Sequence, residues 1–228
     1  MKLKDIFGQE QRGFTLIELM IATMVFSVIL LLCVFGLVQV GNTYYRGLTS
    51  SQTQNAARAI SDDIVQSIQF DGGTVISSIP ASTDPVPTVT TWANPGATGA
   101  FCLGDKRYTY LIGRQVVDSS PNANQAYHAF VIDKAPTGPC NPLSLSTSAL
   151  PPITQPEELV PVNARLDMLS VKKDTTSPTA NGLYTIEVRV SSGDITLIDP
   201  TSHNCKGEAG SQFCAVSYLY TVAKERIY

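Results

Sequence analysis

An α+β fold, one long N-terminal helix laid in its second half against an antiparallel β-sheet head, is predicted from three features of this 228-residue chain. Residues 19–38 form an unbroken apolar run, residues 52–70 repeat apolar side chains every three to four positions, and strand-like runs follow from residue 107 onward. A helix first and strands after it, with no β-α-β alternation, is the order of an α+β architecture. The length suits one folded head plus an appendage.

The apolar run reads LMIATMVFSVILLLCVFGLV, 20 residues from Leu19 to Val38 whose one ionisable group is the thiol of Cys33. At 1.5 Å per residue such a helix spans roughly 30 Å, the thickness of a bilayer core. A secretory signal is the alternative, but its apolar core is shorter and ends at a small-residue cleavage site, whereas QVGNTYY follows here. Lys2, Lys4 and Arg12 precede the run and only Arg46 follows it closely. The basic flank sets the N-terminus in the cytoplasm and the remainder across the cytoplasmic membrane, a single pass.

Beyond the run, Ala56, Ile60, Ile64 and Ile68, with Ala57 and Val65 beside them, recur at helical spacing, while Arg58, Asp62, Asp63 and Gln66 take the other side. This predicts an amphipathic helix stopping at Asp71-Gly72-Gly73. Gly36, Gly41 and Gly47 each cost up to about 1 kcal/mol of helix propensity relative to alanine. They predict a soft middle, kinked or partly unwound within residues 36–50, or else simply mark the membrane exit.

From Gly73 the composition changes. Residues 79–100, rich in Pro, Thr, Gly and Ser, predict an irregular loop, and a second long loop is expected at about 134–161. Strands are predicted at 107–113, 126–133, 166–173, 183–190, 194–198 and 213–223, with a turn at Asn181-Gly182.

Charge and cysteine usage bound the function. A net charge of −3 gives no overall attraction to phosphate, so direct nucleic-acid binding is not expected. Cys33 lies in the membrane run as a small apolar filler. Cys102, Cys140, Cys205 and Cys214 are an even set beyond it, where an oxidising compartment sustains disulfides. Four cysteines allow three pairings. Cys205 with Cys214 and Cys102 with Cys140 is preferred, because the first pair closes a short glycine-containing loop and leaves the second to bracket a loop-rich insert. A metal site at His203, Cys205 and Cys214 competes with that reading, but no CxxC pair supports it. No metal or cofactor is expected.

No enzyme motif emerges. His128 in a strand-like run and His203 in a loop read as structural histidines, with no GxSxG nearby. The Glu157-Glu158 pair, Asp194 and Asp199 read as solvated surface, since they lack cation-loop spacing. No phosphate-binding glycine loop is present.

The one charge near the apolar run remains to be explained. In Arg12-Gly13-Phe14-Thr15-Leu16-Ile17-Glu18-Leu19-Met20, Glu18 stands one residue before it, where a carboxylate is costly and therefore a functional candidate; snorkelling to the interface is the plain alternative. Gly13 to Leu19, after a short basic leader and before an unbroken apolar stretch, resembles the prepilin signature of type IV pilins and of type II secretion pseudopilins. The resemblance implies that a prepilin peptidase cuts between Gly13 and Phe14 and methylates the new amine of Phe14. It further implies that Glu18 of an incoming subunit neutralises the amine of Phe14 on a neighbour. Two desolvated charges that are costly alone compensate when paired. Pairing within one helix is possible as well, because Phe14 and Glu18 are four apart.

The implied organisation is a leader over 1–13, a transmembrane helix over 14–40, an amphipathic continuation over 41–73 and a β-rich head over 74–228. Cleavage would remove three basic and two acidic residues, leaving the mature chain more acidic by one charge. The implied partners are the prepilin peptidase, other pilin or pseudopilin subunits, the cytoplasmic membrane and the pilus assembly platform. The closing stretch FCAVSYLYTVAKERIY and the size resemble the larger minor pilins and pseudopilins, the PilW and PulJ type. Two function classes follow: a processed filament subunit, or a membrane-tethered binding module or adhesin that does not polymerise. An anchored enzyme trails both for want of acids, bases and nucleophiles.

Overall fold

The computed structural model describes residues 13–70, 76–77, 89–90, 98–114, 129–137, 140–142, 157–173, 182–208 and 210–225. The chain divides into two compact units, one ending at Tyr44 and one covering Tyr45–Tyr228.

A single helix, α1, runs from Leu16–Phe70 over 55 residues. Its portion in the first unit presents apolar side chains to the outside throughout: Met24, Leu31, Phe35 and Leu37 are each about two-thirds exposed or more. No soluble surface of that size is stable in water. The hydroxyls of Thr23, Ser27 and Thr43 on this portion are satisfied within the helix itself. Thr23 Oγ1 donates to the Met20 carbonyl at 3.0 Å and Ser27 Oγ to the Thr23 carbonyl at 2.8 Å, so neither needs water. The most apolar window has a mean hydropathy of 2.8 with none of it buried, and the helix is long enough to cross a bilayer. Residues 36–50, expected to be partly unwound, are helical throughout. A glycine lowers propensity but keeps its N–H and carbonyl, so the ladder of backbone bonds survives isolated glycines.

In the second unit the helix buries Ala56, Ala57, Ile60, Ile64 and Ile68, together with Thr53, Ser61 and Ser67. Arg58, Asp62 and Gln66 face solvent as the pattern requires, whereas Asp63 is half-buried. It accepts from Lys106 Nζ at 2.8 Å and from the Tyr108 hydroxyl at 2.5 Å, and Tyr108 also bonds Ser67 at 2.7 Å. The expected stop at Asp71-Gly72-Gly73 lies outside the described residues.

The α+β class holds, with the strands divided between two antiparallel sheets. The strands are β1 (Ile76–Ser77), β2 (Val89–Thr90), β3 (Thr98–Leu103), β4 (Lys106–Leu111), β5 (Phe130–Lys134), β6 (Glu157–Glu158), β7 (Ala164–Lys173), β8 (Leu183–Ser192) and β9 (Ala215–Lys224). The first sheet has the order β1-β3-β4-β5-β6 and the second β2-β7-β8-β9. A parallel bridge between Ile112 and Leu166 joins the sheets, and Gly113 N–H donates to the Leu166 carbonyl at 2.8 Å. One apolar core serves helix and both sheets: Ile60, Ile64 and Ile68 cluster with Phe101, Tyr108, Phe130, Leu166 and Val188. Phe101 and Tyr108 stack at 4.8 Å within it.

The expected strands at 107–113, 166–173 and 183–190 appear at those places with shifted ends. The run at 126–133 yields β5, its first three residues lying outside the described set. Both expected loops contain strand: β2 and the start of β3 fall within 79–100, and β6 falls within 134–161. The strand expected at 194–198 is absent. Asp194 instead caps a 3-10 turn, Ile195–Leu197, by accepting from Thr196 N–H at 2.9 Å. An aspartate side chain that mimics the backbone pulls a short apolar alternation out of a sheet and into a turn. The run 213–223 loses its first two residues to a second 3-10 turn, Ser211–Phe213, and its cap Cys214. Gly182 has φ of 80°, as a turn before β8 requires.

Both disulfides join the preferred partners. Cys102 of β3 bonds Cys140, and Cys205 bonds Cys214. Their sequence separations of 38 and 9 residues mean that the first constrains the unfolded chain more.

Candidate assembly site at the N-terminus

The start of α1 builds a reciprocal cap. Thr15 stands just before the first helical residue Leu16, and Glu18 is the third residue of the helix. Glu18 Oε2 accepts from the Thr15 N–H at 2.9 Å and from the Thr15 hydroxyl at 2.7 Å, while Thr15 Oγ1 accepts from the Glu18 N–H at 3.3 Å. This is a capping box: each side chain satisfies a backbone donor that the first turn leaves open. The carboxylate also sits against the positive end of the helix dipole.

The site is accessible. Phe14 is 87% exposed and Glu18 is exposed, and a Cβ built at Gly13 meets nothing within 4 Å. Both bonds from Thr15 end on Oε2, and Oε1 carries none among the described residues. One carboxylate oxygen is therefore fixed by its own helix, and the flanking Leu16, Ile17 and Leu19 are themselves exposed.

Sequence reasoning singles out Gly13, Phe14 and Glu18 and misses Thr15. The signal is there to be read: Thr followed three residues later by Glu, ahead of an apolar run, is a helix-start signature.

Of the other polar residues weighed from the sequence, Glu157 is exposed as expected, whereas its neighbour makes structural bonds. Glu158, expected to be solvated, accepts from the backbone N–H groups of Ala129, Phe130 and Val160 at 2.9–3.0 Å and ties β6 to β5. His128 lies outside the described residues. His203 takes a φ of 58° in the turn just before Cys205, its N–H donating to the Asp199 carbonyl at 2.9 Å. Cys205 and Cys214 are consumed by their disulfide, so they supply no thiolate to a metal beside it.

Asp194 and Asp199 act on their own loop. Asp194 accepts from the Thr196 N–H at 2.9 Å and its hydroxyl at 3.0 Å; Asp199 accepts from the Thr201 N–H and the Ser202 hydroxyl, both at 2.9 Å. Backbone hydrogen bonds first, then side-chain ones, hold both carboxyls below the ordinary value of 3.8. A depressed folded-state pKa gives stabilisation that is present above the unfolded value and lost as pH falls through the folded one. An NMR titration of the Thr196 and Thr201 amides is expected to show midpoints below 3.8. A midpoint at or above the ordinary value would contradict these bonds.

The family model of the prokaryotic N-terminal methylation motif matches residues 9–34, a small part of the chain that includes the whole capping box. No curated protein and no solved structure matches the chain. The chain thus carries the N-terminal signature of type IV pilins and pseudopilins, on an exposed apolar helix followed by a disulfide-bonded α+β head.

Proposed function

From that signature we propose that the chain is a structural subunit, a minor pilin or pseudopilin, of a type IV pilus-like filament. Prepilin peptidase removes residues 1–13 by cutting between Gly13 and Phe14 and methylates the amine of Phe14. The processed helix remains in the cytoplasmic membrane with its N-terminus inside until the subunit joins the filament. Glu18 then neutralises the Phe14 amine of a neighbour.

The observation that carries the reading is the methylation motif at residues 9–34 joined to a carboxylate, Glu18, with one oxygen that carries no bond among the described residues, at the head of the apolar run of α1. A simple anchor has no use for that carboxylate, since Leu or Ala at this position inserts more readily. The exposed apolar residues of the first unit need a cover, which lipid provides before assembly and neighbouring helices afterwards. The chain brings no phosphate-binding loop, so the work of assembly falls to an ATPase on the assembly platform.

Intact and N-terminal peptide mass spectrometry tests the reading, on protein from its native membrane with and without the prepilin peptidase. The expected mature chain begins at N-methylated Phe14 only when the peptidase is present. A chain beginning at Met1 in both samples would reduce the segment to a plain anchor and favour the non-polymerising binding module.

A further inference from the structure

Strand β9 stands at one edge of the second sheet: β8 pairs with it along one side, and no strand among the described residues pairs along the other. An edge with unpaired N–H and carbonyl groups is a template for a further strand, and such edges are ordinarily blunted by charge, proline or a bulge. Residues 215–223 carry neither a charge nor a proline, and no bulge interrupts their register with β8.

The ladder decides which groups face the free edge. Glu225 N–H donates to the Gly182 carbonyl at 2.7 Å, one step beyond the register pair Leu183 and Lys224. In an antiparallel pair, residues that exchange bonds alternate with residues that do not. The odd-numbered residues of β9 therefore bond β8, while Val216, Tyr218, Tyr220 and Val222 turn their N–H and carbonyl groups to the open side. The side chains of these four share one face of the sheet, where Tyr218, Tyr220 and Val222 are each about half exposed. Tyr218 is already held in place: its hydroxyl donates to Glu187 Oε2 at 2.8 Å, and the Arg189 guanidinium lies over its ring at 5.2 Å.

The strand reads Ala-Val-Ser-Tyr-Leu-Tyr-Thr-Val-Ala from 215 to 223, the same chemistry in both directions about Leu219. An antiparallel second copy with Leu219 opposite Leu219 sets Tyr218 against Tyr220, Ser217 against Thr221, Val216 against Val222 and Ala215 against Ala223. The backbone agrees with the side chains, because Tyr218, Tyr220, Val216 and Val222 are the residues whose groups face the edge. A slip of one residue loses both matches. We infer that β9 is an interaction surface for a second copy of this chain, the two strands joining antiparallel about a two-fold axis at Leu219 into one continuous sheet. Each edge covers the other, so the contact closes as a pair and does not propagate.

The axis also fixes which heads can meet. Thr53 bonds Ser192, opposite Ala215, at 3.1 Å, and Ser61 bonds Thr221 at 3.0 Å, so this part of α1 runs over the sheet in the direction of β9. A two-fold normal to the sheet reverses that direction in the second copy. Heads standing in one sense, as along a single filament, do not pair in this register; heads of opposite sense, on two filaments or on facing surfaces, do. The pairing uses no residue of the N-terminal motif, so it stands or fails apart from the function proposed above.

Cysteines added to the full chain in detergent, on a Cys33→Ser background, test the register. Leu219→Cys places its two copies opposite each other at a non-bonded pair, with Cα atoms about 4.5 Å apart and within disulfide reach. Val222→Cys places its two copies about six residues apart along the strands, roughly 20 Å. Under mild oxidation Leu219→Cys is expected to link chain to chain at least about tenfold faster than Val222→Cys. Sedimentation equilibrium should show the unmodified chain in a monomer–dimer equilibrium. The double variant Tyr218→Lys with Tyr220→Lys sets like charges opposite each other and should weaken the dimer at least about tenfold at unchanged melting temperature. The inference is overturned if the unmodified chain stays monomeric up to about 1 mM, if Val222→Cys links as fast as Leu219→Cys, or if the lysine variant dimerises like the unmodified chain.

Discussion

Replacing Glu18 with alanine is expected to leave the chain inserted in the membrane and cut at Gly13, yet absent from sheared filaments. Apolar helix packing in lipid has little directional content, because lipid tails are as apolar as the residues they cover. Under the proposed function, a pairing of two otherwise uncompensated charges would supply what packing lacks, because only one axial register would bring the Phe14 amine of one subunit to the carboxylate of the next. Removing one member leaves the other desolvated and alone, which on the usual cost of breaking a buried pair lowers association by at least about a hundredfold. Thr15→Val separates this role from capping. That variant loses the hydroxyl bond to Oε2 at 2.7 Å and the Oγ1 acceptor of the Glu18 N–H at 3.3 Å but keeps the backbone N–H bond to Oε2 at 2.9 Å, so Glu18 stays oriented. Immunoblots of sheared filaments should therefore show near-normal incorporation for Thr15→Val and a loss for Glu18→Ala. Equal losses in both would assign the glutamate to the helix cap instead of to a neighbour's amine.

The N-terminus is legible because its signals are local. An apolar run of bilayer length, a glycine before it and a carboxylate at its edge need no tertiary information, and the buried stripe from Ala56 to Ile68 follows from helical period alone. Preference for the shorter cysteine loop likewise selects the pairs that form. What the sequence withholds depends on partners distant in the chain. Glu158 looks like any loop carboxylate until β5 and the residue before it present two N–H groups to it. Residues 194–198 alternate like a strand, and only the bond from the Thr196 N–H to Asp194 turns them into a 3-10 turn. Arg165 gives no sign of its burial, which arises because β7 is covered on both faces from Ala164 through Val171.

Replacing Asp133 with alanine is expected to produce the largest loss of stability in the head. Asp133 of β5 stands opposite Arg107 of β4 in the strand register. Arg107 Nε donates to Asp133 Oδ1 at 2.8 Å, its Nη2 reaches Oδ2, and its Nη1 donates to the Asn141 carbonyl at 3.0 Å. The carboxylate side chain is fully buried and the guanidinium one-tenth exposed. By contrast, the Lys106–Asp63 bridge is about a third and a quarter exposed at its two ends, and water already screens it. Truncating Asp133 strands a buried guanidinium, a loss of about 3–5 kcal/mol. In a domain of this size that corresponds to a melting temperature lower by about 6–20 °C. Arg107 also holds the backbone at Asn141, next to Cys140 of the disulfide to β3, so ion pair and disulfide brace the same short segment. The double variant Arg107→Met with Asp133→Leu removes both charges and fills the space, and should recover most of the loss, because an apolar pair of similar volume often replaces a buried ion pair at little cost. Thermal melts of the full chain in detergent, followed by near-ultraviolet circular dichroism, decide the matter. A drop of less than about 2 °C in Asp133→Ala would mean that water reaches the guanidinium and that the pair contributes no more than a surface bridge.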